Sequence, residues 1–232
     1  PSPPALSLFL SPHEIGTALV TLLGILTAFT PLRGKPRFRL AFQVIVVANQ
    51  GLTAGNLLAQ SLLEGWTRSG VPWQLAPGLA FLAAAALVIP WATKRNVYCD
   101  HLCPHGAAQQ LANRYSPFKN RTVPPGLDRA LRFLPTLTIL AVLVLSLLAV
   151  PVNLASVEPF NAYLFTIAGA STIAIALISL AAAFFTPLPY CKYGCPTGAV
   201  LTFLRSRGPA DSFSRRDTAA LAFLLIAILF LL

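Results

Sequence analysis

The chain has only four cysteines, and their spacing is the first feature that could carry chemistry. They fall in two segments of one pattern, Tyr98-Cys-Asp-His-Leu-Cys-Pro-His-Gly-Ala107 and Tyr190-Cys-Lys-Tyr-Gly-Cys-Pro-Thr-Gly-Ala199, offset by 92 residues at every matched position. Proline favours the first position of a helix, so Cys103-Pro104 and Cys195-Pro196 each place a cysteine at a helix N-cap. Free backbone N–H groups there, with Arg95, Lys192 and Arg205 nearby, predict thiols of lowered pKa. Soft thiolates suit an iron–sulfur cluster, Zn or Cu(I), and the spacing leaves these open. One CxxxC pair supplies two ligands where such sites take four, so the two motifs are expected to share one site. A small hydrophobic role for each cysteine fits poorly, since all of them lie in identically spaced motifs rather than inside apolar runs.

Two histidines, His101 and His105, bracket Cys103 and are secondary ligand candidates, although Tyr193 and Thr197 take their places in the second copy. A further polar set, Gln43, Asn49, Gln50, Asn56 and Gln60, interrupts an apolar stretch and includes Gly51-x-x-x-Gly55. Such groups must face protein, water or a ligand. They could bind a quinone headgroup or form interhelical hydrogen bonds beside a close small-residue contact.

The elements that position these residues are apolar. Of 232 residues, 56% are hydrophobic and 10% charged, against roughly 25% charged in a soluble domain. Apolar runs at 15–31, 40–63, 75–93, 131–152, 160–185 and 218–232 predict an all-α integral membrane protein with about six transmembrane helices and short interfacial helices. The last run reads as truncated, being too short at about 1.5 Å per residue for a ~30 Å core. Helix, motif and interfacial helix form a parallel internal repeat, about 40–114 and 131–206, within one transmembrane domain spanning 1–232.

Alternating the loops between two sides puts 16 of the 17 Lys and Arg residues together, at 33–39, 94–132 and 192–216, with Arg68 alone opposite beside Glu14, Glu64 and Glu158. The positive-inside rule then predicts both termini extracytoplasmic and both motifs cytoplasmic, where a structural disulfide is disfavoured. This topology accounts for the net charge of +10 without nucleic acid, and no phosphate-binding glycine loop occurs.

At the doubled Tyr-Cys-x-x-x-Cys-Pro-x-Gly-Ala pattern the chain resembles the NosR/NapH-type polyferredoxin membrane proteins. These belong to a 4Fe-4S binding domain membrane family that also includes the CcoG-like copper-reducing oxidase-assembly proteins. The resemblance spans about 40–207 and carries Cys99, Cys103, Cys191 and Cys195 over as the motif cysteines. It implies an inner-membrane electron-transfer component, quinol dehydrogenase-like, working between quinol or cytoplasmic carriers and an extracytoplasmic redox partner. A Cu- or Zn-handling assembly protein without redox turnover is the alternative. FMN would belong to an upstream domain, and the cysteine runs of a soluble ferredoxin module do not occur in this sequence.

Overall fold

Proline sets the starts of the helices. In the computed structural model, which describes residues 11–148, 158–164 and 168–206, it opens α1 (Pro12–Phe29), α2 (Pro36–Val46), α4 (Pro77–Thr93), α5 (Pro104–Arg114), α6 (Pro125–Leu131), α9 (Pro189–Tyr193) and α10 (Pro196–Ser206). Its missing N–H costs nothing in a first turn, and its fixed φ is already helical. The other helices are α3 (Gln60–Ser69), α7 (Leu134–Leu147) and α8 (Ala170–Ala183), and no strand occurs among the described residues. The protein is all-α, as its composition predicts.

One described helix, the 18-residue α1, is long and apolar enough to cross a membrane, while α4 and α8 are shorter apolar helices. The run 40–63 is not one helix. Helix α2 passes into a π-helical turn, Val47–Thr53, and the chain then leaves helical geometry before α3 begins at Gln60. Gly55 adopts φ +63, a conformation open to glycine at little cost. Asn56 turns its amide away to donate to Thr17 Oγ1 at 2.7 Å. The run 160–185 also begins later than its apolarity suggests, with a 3₁₀ turn at Pro159–Tyr163 and helix only from Ala170. The run 218–232 lies outside the described residues, as do 149–152 of the run containing α7.

Helix, motif, helix occurs twice: α4, a π-helical turn at Tyr98–Leu102 and α5, then α8, α9 and α10. The packing crosses over between them. Trailing helix α5 lies on leading helix α8 of the second unit, and α10 lies on α4 of the first. Both motifs, sitting between leading and trailing helices, are thereby drawn to the same junction. Helix α1 braces it, with Gly24 against Leu102 and Gly78 of α4 against the Glu14 backbone. The Glu14 carboxylate also accepts from Gly78 N–H at 2.6 Å, satisfying an orphan donor at the start of α4.

Side-chain polarity runs opposite to that of a water-soluble bundle. Thr17, Thr21, Gln50, His105 and Gln109 are fully buried, whereas Ile15, Leu19, Leu22, Leu26 and Phe29 of α1 and Leu137, Leu140 and Val144 of α7 face outward.

A Cβ on Gly78 would stand 2.5 Å from the Glu14 carbonyl oxygen, and backbone cannot move aside cheaply. Gly78→Ala is expected to lower stability by about 1–3 kcal/mol, read as thermal unfolding of the purified protein. Gly65→Ala, whose Cβ meets nothing within 4 Å, is expected not to. An unshifted midpoint in Gly78→Ala would mean that α1 and α4 are not in backbone contact.

Candidate iron–sulfur site at the junction of the two motifs

Cys103 is the N-cap of α5, and its Sγ accepts from Gly106 N–H at 3.4 Å. Cys195 repeats the arrangement at the start of α10, accepting from Gly198 N–H at 3.2 Å. Both sequence-derived caps are therefore formed, and all four cysteines are free thiols. Each thiol of one motif lies within electrostatic range of both thiols of the other. The N-terminal member of each pair, Cys99 or Cys191, is half-buried, while Cys103 and Cys195 are buried.

The thiol pKa values run opposite to the expectation from helix N-termini. Burial pushes all four up, with neighbouring thiols adding for Cys99, Cys191 and Cys195, and Cys191 reaches about 12. Desolvation outweighs the partial charge of the helix terminus. The backbone N–H groups at Cys103 and Cys195 pull downward but do not win.

Between the motifs runs the non-helical segment that breaks the 40–63 stretch. Leu57, Leu58 and Ala59 are buried there, so their backbone groups need partners. Leu58 N–H donates to the Tyr98 hydroxyl at 2.8 Å and Thr197 Oγ1 donates to Leu58 C=O at 3.2 Å. One peptide is thus held by the first motif on its N–H side and by the second on its carbonyl side. Glu158, grouped by charge with Glu14, Glu64 and Arg68, is buried, and both its oxygens accept from Gln60 N–H at 3.0 Å, capping α3. Sequence reading assigned no role to Leu58, which acts through its main chain, or to Glu158.

His105 is fully enclosed and not arranged as a ligand. Its ring nitrogens stand 2.9 Å from Tyr163 Oη and from Ser179 Oγ. Ser179 spends its one hydrogen on Ala176 C=O, so Nε2–H donates to Ser179 and Nδ1 accepts from the Tyr163 hydroxyl. No lone pair remains for a metal. Burial lowers the His105 pKa to about 4, so the ring is neutral, with Phe160, Tyr163 and Tyr190 edge-on to it. His101 is half-exposed, lining a narrow cleft with Cys103, Asp100, Arg39, Gln43 and Gln110.

The polar set does not form one face. Gln43 donates to Gln110 Oε1 at 2.6 Å, Asn56 bonds to Thr17 and Gln60 starts α3. Only Asn49 and Gln50 lie in the π-helical turn, where the Asn49 Oδ1 and both amide atoms of the fully buried Gln50 have no partner among the described residues. Hydrogen bonds to side chains of neighbouring helices, Gln110 and Thr17, therefore account for Gln43 and Asn56.

Two segments of the chain, residues 75–122 and 168–215, match the 4Fe-4S binding domain family, one motif in each. Over 225 residues the chain is 31% identical to Regulatory protein NosR of Pseudomonas aeruginosa, an alignment covering 86% of this chain and 30% of that protein. Over 145 residues it is 32% identical to Protein NirI of Paracoccus denitrificans, covering 57% of this chain and 21% of that protein. The chain thus spans less than a third of the length of these curated relatives. No solved structure matches. In these segments the chain is similar to the NosR/NapH-type 4Fe-4S domain proteins, and the match supports an iron–sulfur cluster but gives no support to Cu, Zn or FMN.

The junction fits such a group. Four cysteine thiols, two from each motif, are the ligand type and number that a 4Fe-4S cluster takes. Both motif glycines keep a cradle open beside the sulfurs. A Cβ on Gly106 would lie 3.6 Å from Cys191 Sγ and 3.4 Å from Cys99 O, and one on Gly198 would lie 3.5 Å from Cys195 Sγ.

These contacts are ordinary for the protein alone, so Gly106→Ala should fold. Its methyl would project between the motifs, and cluster content after anaerobic purification is expected to fall severalfold with circular dichroism unchanged. Full loading of Gly106→Ala would place the cluster elsewhere.

Proposed function

We propose that the chain is the membrane-embedded part of an electron-transfer system, in which Cys99, Cys103, Cys191 and Cys195 together hold one 4Fe-4S cluster. The observation that carries this reading is the meeting of two matched cysteine pairs at one buried junction, built by the crossed packing of α5 on α8 and α10 on α4. Bound there, the cluster would supply one-electron transfer. The residues around it hold the four sulfurs in place, deliver the Gly106 and Gly198 N–H groups to two of them and keep water out with Leu58, Tyr98 and Leu102.

Membrane placement is supported by the inverted polarity, since outward-facing leucines and buried glutamine, threonine and histidine suit a hydrocarbon surround. The non-helical 54–59 segment is compatible with this because it is enclosed by protein. A multi-pass arrangement of about six crossings in the cytoplasmic membrane, with the motifs cytoplasmic and both termini outside, follows from the charge distribution. In that orientation the chain would connect quinol or a cytoplasmic carrier with an extracytoplasmic redox partner.

Replacing thiolate by a hard hydroxyl tests the ligand set. Cys103→Ser and Cys195→Ser, one in each motif, are each expected to abolish visible absorption and acid-labile sulfide in anaerobically purified protein. His105→Ala is expected to retain most of both. If either serine variant kept its full sulfide content, or His105→Ala lost as much, the four-thiolate assignment would fail. Orientation is read separately, by reporter fusions within 115–124. Cytoplasmic activity is expected there, and an extracytoplasmic signal would reverse the topology.

A further inference from the structure

The two motifs share their Tyr, Cys, Cys-Pro and Gly-Ala positions, but the side chains around their sulfurs differ. At position 109 the first unit has glutamine, and the second has Leu201, 92 residues on. Gln109 is fully buried and reaches across to the other motif, where its Nε2 donates to Cys191 Sγ at 3.4 Å. The same nitrogen donates to His105 C=O at 3.3 Å, and its Oε1 accepts from Tyr190 N–H at 3.0 Å.

These partners fix which way the amide faces. A backbone N–H can only donate, so the atom opposite Tyr190 N is the oxygen, and the amide hydrogens must point to Cys191 and the His105 carbonyl. No rotation of the side chain satisfies all three groups otherwise. Leu201, buried at the matching place, offers the first motif no such donor. The first motif's sulfurs draw side-chain hydrogen bonds from their own unit, Asn96 at Cys99 and Tyr98 at Cys103, whereas Cys191 receives a donor from the other unit that the pseudo-symmetry does not repeat.

We infer that Gln109 is a positioning residue that sets the reduction potential of the cluster by donating a hydrogen bond to the Cys191 sulfur across the two repeats. The inference rests on the four-thiolate reading above. Reduction adds one electron to the cluster and its thiolates, and a donor aimed at a ligand sulfur stabilises the more negative state. Removing it lowers the potential. Hydrogen bonds to charged groups are stronger than those to neutral ones, and part of that strength differs between oxidation states. A shift of about tenfold in the reduction equilibrium follows, or about 59 mV for a one-electron couple.

Gln109→Leu installs the residue that the second repeat already carries. Gln110→Leu is its control, the same change on the next residue, whose amide oxygen meets Arg39 and Gln43 rather than a sulfur. Each variant is titrated with dithionite as the full chain, following the cluster by electron paramagnetic resonance. Gln109→Leu is expected to keep its iron and sulfide, with the midpoint moved negative by about that amount, and Gln110→Leu to match the parent.

Equal midpoints in Gln109→Leu and parent, or an equal shift in Gln110→Leu, would overturn the inference while leaving the cluster assignment intact. If Gln109→Leu failed to load, the parent protein labelled with amide-¹⁵N glutamine would decide. Hyperfine coupling of that nitrogen to the reduced cluster supports the bond, and no coupling rejects it. A parent devoid of iron and sulfide would instead remove the four-thiolate reading, and the inference with it.

Discussion

Four thiols share a junction from which water is largely excluded, and this desolvation constrains everything around them. A thiolate in such a place is costly, so burial raises the pKa of each cysteine despite the helix N-termini that point at two of them. Protonated, the four are merely small buried groups. As thiolates they need compensating charge, and binding of iron would supply it with release of protons. The site is thus poised in one sense only, with sulfur geometry largely set by the fold and charge balance left to the group that binds.

The same exclusion of water explains the least regular part of the chain. Once helix α2 gives way to the π-helical turn and the segment at 54–59, its peptide groups lose their helical partners while remaining buried. Tyr98 and Thr197 provide replacements for Leu58, one from each motif. Leaving such a group unpaired costs about 1–3 kcal/mol, so the break is stable only where the two motifs meet around it. Broken helix and paired motifs are in this sense one structural unit. Its remaining walls are aromatic, with His105 held as a neutral ring between Tyr163 and Ser179.

Cysteine pairs, their caps and the repeat could be read directly from residue type and spacing, because a Cys-Pro step at a helix start is a local rule. Interactions across the repeats could not. Gln109 meets Cys191 from 82 residues away, and as one more glutamine in a helix it has no local signature. Leu58 acts through its backbone, which sequence pattern does not distinguish. Apolarity alone merged 40–63 into a single run, although Gly55 and Asn56 break it. Counting charges grouped Glu158 with Glu14, Glu64 and Arg68 on one side, which says nothing of the burial or the α3 cap that its carboxylate forms. The thiol pKa was misread because a helix terminus is visible in sequence and the depth of burial is not.

Pseudo-symmetry brings the motifs together, and departures from it, glutamine against leucine and histidine against threonine, distinguish their surroundings. The central claim is that the two motifs build one site rather than two. Native mass spectrometry of the anaerobically purified chain, paired with Mössbauer spectroscopy of ⁵⁷Fe-enriched protein, counts the clusters directly. The account predicts one 4Fe-4S cluster per chain, absent altogether when Cys191 and Cys195 are both replaced by serine. Two clusters per chain, or one that persists unchanged in that double variant, would contradict it.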